Sequence, residues 1–161
     1  MENLTLEIIK TMAIVGTAVI AAVTIIKGYA EYRLSAVQKR VELFEKYRQK
    51  MKENEILKTI IGLLEQESAD IRTVQRTDRY FYLGYFEEIA LLVNSRVLKP
   101  EIAHYMFAYY AKLCWANDNF WHDINRDSIY WRVFREFVEQ MIELEEKNMT
   151  IPTNQKLRFK I

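Results

Sequence analysis

The first hydrophobic feature of the chain is a run of sixteen uncharged residues between Lys10 and Lys27. Extended back to Ile8, it becomes a nineteen-residue segment that would measure about 28 Å as a helix, at ~1.5 Å per residue. This length nearly matches a bilayer core of ~30 Å, provided that Lys10 extends its ammonium group to the interface. The segment lacks the basic start and the small-residue cleavage site of a signal peptide. The pattern therefore predicts a retained transmembrane segment over residues 1–28.

Apolar residues then recur at alternating spacings of three and four, which predicts that the helix continues as a stalk to about Lys52. The positions are Leu34, Val37, Val41, Phe44 and Met51, with Arg48 interrupting the pattern between the last two. Such a seam can pack on its own domain or form a contact between subunits, and its length does not distinguish the two. A short apolar helix from Ile56 to Leu64 completes the membrane-proximal region, residues 29–76.

Three longer helices are predicted after this region, over residues 79–94, 100–116 and 129–147. Thr77 or Asp78 is expected to cap the first, Pro100 suits the first turn of the second, and Asp127 or Ser128 is expected to cap the third. Together they form a helical bundle, residues 77–149, with an irregular stretch near residues 117–128. A basic tail, residues 150–161, alternates apolar and basic positions, as a docking segment or a frayed end does.

Aromatic residues concentrate in the predicted bundle: seventeen of the 21 Phe, Trp and Tyr lie at or after residue 80. At helical spacing, such residues form a core more often than a ligand pocket. Because no strand pattern competes before the tail, the sequence predicts an all-α protein. Its parts are one N-terminal transmembrane helix, the stalk, and a helical bundle with an aromatic core.

Charge gives the predicted membrane topology. Residues 27–52 hold eight Lys or Arg against three Glu, whereas the N-terminal flank has only Lys10. The excess of positive charge after the span predicts a single-pass membrane protein with its N-terminus outside and its bundle in the cytoplasm. A single cysteine, Cys114, suits that reducing compartment. The net charge of +1 argues against general nucleic-acid binding, and no DNA partner is expected.

The predicted span also has two different faces. At 100° per residue, five small or polar positions fall within about 80° of one another, and the stripe continues through Gly28 to Glu31. The five are Lys10, Ala13, Thr17, Ala21 and Thr24. Small and hydroxylated residues at such spacings permit close helix packing, and in a ring of copies they would line a narrow pore. The alternative is that each threonine hydroxyl simply bonds its own helix.

The sequence offers little for catalysis. There are two histidines and one cysteine, no Gly-rich phosphate loop and no nucleophile elbow, so no catalytic residue, metal site or cofactor is expected. Cys114 is expected to be a buried, inert core residue. Within the apolar run of the first bundle helix, Glu87 or Glu88 is expected to face the core and to pair with an arginine, namely Arg79, Arg96, Arg126 or Arg132.

The run "RYFYLGYFEEIALLVNSRVL" followed by "YWRVF" resembles a family of bacterial and phage membrane-anchored helical domains without an assigned activity. More distantly, the architecture is similar to the membrane accessory proteins of type VI CRISPR systems, which carry a degenerate HEPN-like domain. That resemblance implies an oligomeric pore acting in antiviral defence. A working HEPN ribonuclease has four to six residues between its Arg and His, but seven separate Arg96 from His104. Residual RNA or partner contacts are expected at Arg96, His104, His122 and Arg126.

Three functional hypotheses follow, and all place a homo-oligomer or a partner at the lipid bilayer. The first is a non-enzymatic oligomeric membrane protein, a pore or effector of CRISPR-like defence. The alternative is a membrane-tethered interaction module that recruits a cytosolic protein, including an RNA-guided effector, through the loop or the tail. The third is a degenerate HEPN-like RNA-binding domain at the membrane.

Overall fold

The computed structural model describes the backbone of residues 2–149 and the side chains of residues 10, 12 and 14–147. Six α-helices are described: α1 (Glu2–Glu53), α2 (Glu55–Glu65), α3 (Arg76–Asn94), α4 (Pro100–Ala103), α5 (Tyr109–Ala116) and α6 (Arg132–Met149). Short 3-10 turns at Ala69–Thr73 and Ile129–Trp131 precede α3 and α6. Over the described residues the fold is all-helical, as predicted. The predicted tail and the side chain of Ala13 lie outside the described residues.

The chain divides after Val41 into two compact units. The first contains the N-terminal part of α1, where every described apolar side chain of the predicted span is exposed. In the described part of the chain, one helical segment is long and apolar enough to cross a membrane. It lies near the N-terminus, within Ile14–Glu53, and its mean hydropathy reaches 1.5.

The second unit is a bundle around an aromatic core. Helix α2 contributes Leu57, Ile60 and Leu64, which lie on one face because they are spaced by three and four residues. Helices α3 and α6 contribute the largest contact between elements, and five of their core side chains are aromatic. The fully buried ones include Tyr82, Phe86, Ile89, Phe134 and Val138. Burying each such side chain contributes about 1.5–3 kcal/mol to folding.

The end of α1 belongs to this bundle. Met51 is buried in the core, and Phe44 and Tyr47 pack against it. The Tyr85 hydroxyl donates a 2.7 Å hydrogen bond to the Tyr47 carbonyl, which fixes α3 against α1. From Phe44 onward, the apolar seam of the predicted stalk therefore packs on its own domain.

Helix starts follow local chemistry, with one error in the predictions. Helix α3 begins at Arg76 after Gln75, so the predicted start at Arg79 and the predicted caps Thr77 and Asp78 are wrong. Gln75 makes no side-chain cap, and packing of the following residues compensates for the missing bond. Pro100 occupies the first turn of α4 as predicted. Ser128 is confirmed as a cap because its hydroxyl accepts the Tyr130 N–H at 3.4 Å.

A π-helical turn, His104–Ala108, joins α4 to α5. Nε2 of His104 is buried there without a hydrogen-bond partner among the described residues. On the neighbouring α6, the Glu145 carboxylate accepts a hydrogen bond from Lys112. That bond and the positive charge of Lys112 lower the pKa of Glu145, and His104 adds a smaller contribution.

Candidate functional site

Three arginines fasten the irregular stretch near residues 117–128 to the bundle. Arg72 lies in the turn before α3, and its Nε donates a 2.8 Å hydrogen bond to Oδ1 of Asn119. Arg76 and Arg79, in the first turn of α3, both pair with Asp123. Since the three arginines are spaced by four and three residues, a short length of chain holds the whole loop.

Arg79 is the buried member of this set, with only 2% of its surface exposed. Its NH1 donates a 2.6 Å hydrogen bond to the Phe120 carbonyl, and its NH2 lies 2.5 Å from Oδ1 of Asp123. A buried guanidinium requires such partners because an unpaired charge there is strongly destabilising. Partial burial raises the pKa of Asp123, but the hydrogen bond and charge of Arg79, with the charge of Arg76, outweigh this and lower it overall. Asp123 is therefore held as a carboxylate.

Beside this ion cluster lies an open groove with a volume of about 720 Å³. We call it the Tyr80–Trp131 groove. It is lined by the start of α3, the end of the loop and the following 3-10 turn: Arg76, Tyr80, Asp123, Ile124, Asn125, Ser128, Tyr130 and Trp131. Its size falls within the range of about 300–1,000 Å³ that is typical of small-molecule sites.

The wall of the groove is aromatic and partly exposed. The rings of Tyr80 and Trp131 lie with their centroids 5.1 Å apart at 48°. The guanidinium carbon of Arg76 lies 5.9 Å from the Tyr80 centroid, within the range of a cation–π contact. Tyr80 is 38% exposed and Tyr130 81% exposed, so both rings are accessible to a ligand in the groove. The arrangement can therefore stack against a planar group.

The polar groups of the groove are arranged as donors. Oδ1 of Asn125 accepts the Asp127 N–H, and Oγ of Ser128 accepts the Tyr130 N–H. The amide NH2 of Asn125 and the hydroxyl proton of Ser128 have no acceptor among the described residues, so both can donate to a ligand. Each carboxylate oxygen of Asp123 already faces an arginine, Oδ1 toward Arg79 and Oδ2 toward Arg76 at 3.4 Å.

The four residues predicted as RNA or partner contacts do not form one site. Arg96 lies exposed after α3 with a positive φ of 59°, and His104 is half-buried in the π-helical turn. His122 is exposed, whereas Arg126 covers the Trp115 ring at 5.3 Å and donates to the Trp115 carbonyl. Within residues 2–149, no hydrogen bond, ion pair or ring contact joins any two of these four. The Tyr80–Trp131 groove contains none of them.

The polar stripe of the predicted span is exposed wherever its side chains are described. Lys10, Thr17, Ala21, Thr24 and Glu31 all face outward from α1. The Thr24 hydroxyl donates a 2.8 Å hydrogen bond to the Ile20 carbonyl of its own helix. This is the alternative that the sequence left open for the threonines, and it removes the Thr24 proton as a donor to a neighbouring helix. The pore-lining role of the stripe stays a prediction.

The two carboxylates of α3 do not have the arginine partners expected for them. Oε1 of Glu87 is buried without a hydrogen-bond partner among the described residues. Burial raises the pKa of Glu87, and the backbone N–H of Phe134, at the start of α6, only partly offsets the rise. Glu88 is exposed and pairs with Lys50 at 3.3 Å. The expected Glu–Arg pairing is wrong, because Arg79 pairs with Asp123, Arg126 with Asp118 and Arg132 with Glu136.

Cys114 is fully buried, as expected, and burial raises the pKa of its thiol well above the ordinary value. Within the described residues, no group of three or more His, Cys, Asp or Glu side chains is close enough to hold a metal ion.

No protein-family model matches the chain, and neither a curated protein nor a solved structure is significantly similar to it. The class of protein is therefore defined by the features of residues 2–149: an all-helical fold with one helix apolar enough to span a membrane and a grooved bundle. Sequence reasoning missed the groove. The available signal was the spacing of Arg72, Arg76 and Arg79 upstream of a loop containing Asp123.

Proposed function

We propose that the protein is a non-enzymatic, single-span membrane protein that tethers a helical binding module to the cytoplasmic face of the bacterial inner membrane. The observation that carries the proposal is the Tyr80–Trp131 groove, in a chain that also has a helix long and apolar enough to span a membrane. Eight large apolar side chains from Met12 to Ile26 are each more than half exposed, and lipid is the surrounding that stabilises them.

The groove is suited to binding because its walls are fixed before a ligand arrives. Arg79 and Asp123 hold the loop side, while Trp131 packs against the bundle core. A site whose walls are already ordered loses little conformational entropy on binding. The basic flank after residue 27 supports a cytoplasmic position for this module.

Cysteine labelling tests the proposed topology. Cys114 is fully buried, so one added thiol at an exposed position reports alone. Asp118→Cys should react with a membrane-impermeant maleimide only after the cells are permeabilised, and Asn3→Cys should react in intact spheroplasts. Labelling of Asp118→Cys in intact spheroplasts would place the groove outside and overturn the proposal.

A second candidate is an oligomeric pore, with a role in antiviral defence that the CRISPR resemblance implies. It is favoured by the small and polar stripe of α1, where an added Cβ at Gly28 would meet no atom within 4 Å. The mass of the full-length protein in mild detergent distinguishes the candidates. A closed assembly of many copies supports the pore, whereas a monomer or dimer supports the tether.

A further inference from the structure

The charge balance of the Tyr80–Trp131 groove favours an anionic ligand. Among its lining residues Arg76 and Asp123 are charged and offset each other, and buried Arg79, which pairs with Asp123 but does not line the groove, adds a second positive charge. The ion cluster beside the groove therefore carries a net charge of +1. About half of the Arg76 side chain is exposed (52%), so a ligand can reach its remaining N–H donors.

The hydrogen-bond donors of the groove favour an anion that accepts several hydrogen bonds. The Asn125 amide and the Ser128 hydroxyl offer protons that nothing in the described chain accepts. The Asp123 carboxylate, which would repel an anion, is already paired through both oxygens. A phosphate group has the three acceptor oxygens and the charge that suit a guanidinium with neighbouring neutral donors.

The aromatic wall adds a planar component to the ligand. Tyr80 and Trp131 lie beside the Arg76 guanidinium, and Tyr130 at the rim is 81% exposed. Exposed aromatic rings next to an arginine bind unstacked nucleobases, because every base has a π face. An acidic peptide would use the charge but not the ring wall.

The geometry points to a nucleotide as the ligand of the Tyr80–Trp131 groove, with its phosphate on Arg76, Asn125 and Ser128 and its base against the aromatic wall. A free mononucleotide and the phosphorylated end of single-stranded RNA share this chemistry. The inference deepens the proposed function by naming the ligand class of the same groove. It does not depend on the membrane topology.

Isothermal titration calorimetry on the full-length protein in mild detergent tests the assignment, with AMP, adenosine and inorganic phosphate as probes. AMP should bind at least about tenfold more tightly than either fragment, because only AMP uses both halves of the site. A 5′-phosphorylated hexa-adenylate distinguishes the sources. Much tighter binding than AMP identifies an RNA end, and equal binding identifies the free nucleotide.

Two variants with matched controls locate the binding. Arg76→Gln should weaken AMP about tenfold while leaving adenosine unchanged, since it removes the charge facing the phosphate. Its control, Arg132→Gln, removes an exposed arginine that pairs with Glu136 outside the groove and should have no effect on AMP binding.

Tyr80→Leu should weaken the binding of both AMP and adenosine at least about fivefold. Its control, Tyr109→Leu, changes a tyrosine that does not line the groove.

Three results would overturn the inference. The first is that AMP does not bind at millimolar concentration. The second is that Arg76→Gln leaves the AMP affinity unchanged in protein that remains folded by circular dichroism. The third is that a hexaglutamate peptide binds as tightly as AMP. The last would show that the groove selects negative charge alone. None of them changes the maleimide labelling, so failure of this inference and failure of the proposed topology give different results.

Discussion

Met12 and Phe86 are both large apolar side chains on helices, yet Met12 is 71% exposed and Phe86 is fully buried. Met12 lies in a segment whose described side chains are all exposed, on its bulky apolar face as well as on its small and polar face. Around Phe86 the apolar positions lie on one side of α3 and meet α6. Under the proposed topology lipid covers the first region, whereas the second supplies its own interior, so large apolar side chains are stabilised in two different surroundings.

The largest expected effect comes from truncating the bundle core. Phe86→Ala should lower the free energy of unfolding of the bundle by about 3–5 kcal/mol, because it leaves a cavity between Tyr82, Tyr85 and Phe134. Denaturant unfolding followed by tryptophan fluorescence measures this. Val19→Ala, in the span, should leave the midpoint unchanged. An equal loss in both variants would remove the distinction between the two regions.

A charge placed in the span should act on insertion instead of bundle stability. Val19→Lys should make insertion less favourable by about 3 kcal/mol, the difference between these side chains at the centre of a bilayer. Alkaline extraction of membranes measures the retained fraction. Ser35→Lys, in the stalk, is the control and should remain in the pellet. If Val19→Lys were retained equally well, the first region would not need lipid.

Removing the buried guanidinium should have a smaller effect on the bundle. Arg79→Leu leaves the Phe120 carbonyl unpaired, and Asp123 keeps only Arg76, so we expect a loss of about 2 kcal/mol. Arg72→Leu, which breaks an exposed hydrogen bond to Asn119, should cost much less. Thermal melting of both variants checks the order, and the reverse order would mean that Arg79 does not hold the loop.

The smallest expected effect depends on pH. The pKa of Glu87 is raised in the folded state, so its carboxylate destabilises the fold at neutral pH. This effect fades as pH falls through the folded pKa toward the ordinary glutamate range, where both states are protonated. Melting curves of wild type and Glu87→Gln should therefore differ most at neutral pH and converge toward pH ~4. A difference independent of pH would show that Glu87 acts only through packing.

Local patterns were enough to predict the all-helical fold, the long N-terminal helix and the apolar face of α2. They failed at the start of α3 because the favoured capping residues Thr77 and Asp78 are overruled by the packing of residues further along the helix. The spacing of apolar residues within a single helix is enough to predict such elements, so one sequence carries the information that is needed for them.

The candidate site was beyond the same reasoning. Arg76 and Tyr80 share a helix, but Asp123 and Trp131 reach them only through the folding of a loop more than forty residues away. The histidines and arginines that were singled out had suitable chemistry, but the fold separates them. Pairing across such distances depends on tertiary structure, which periodicity does not encode.

The π-helical turn at His104–Ala108 also bears on how the gene can change. Each of its i→i+5 bonds encloses one residue more than an α-helical bond does, so the chain between Pro100 and Ala116 carries an extra residue. Loss of a single codon at the exposed Tyr105 would let α4 run into α5 as one regular helix. The gene can therefore gain or lose a codon here while the protein segment stays helical. Such a change would rotate the helix face on which His104 lies.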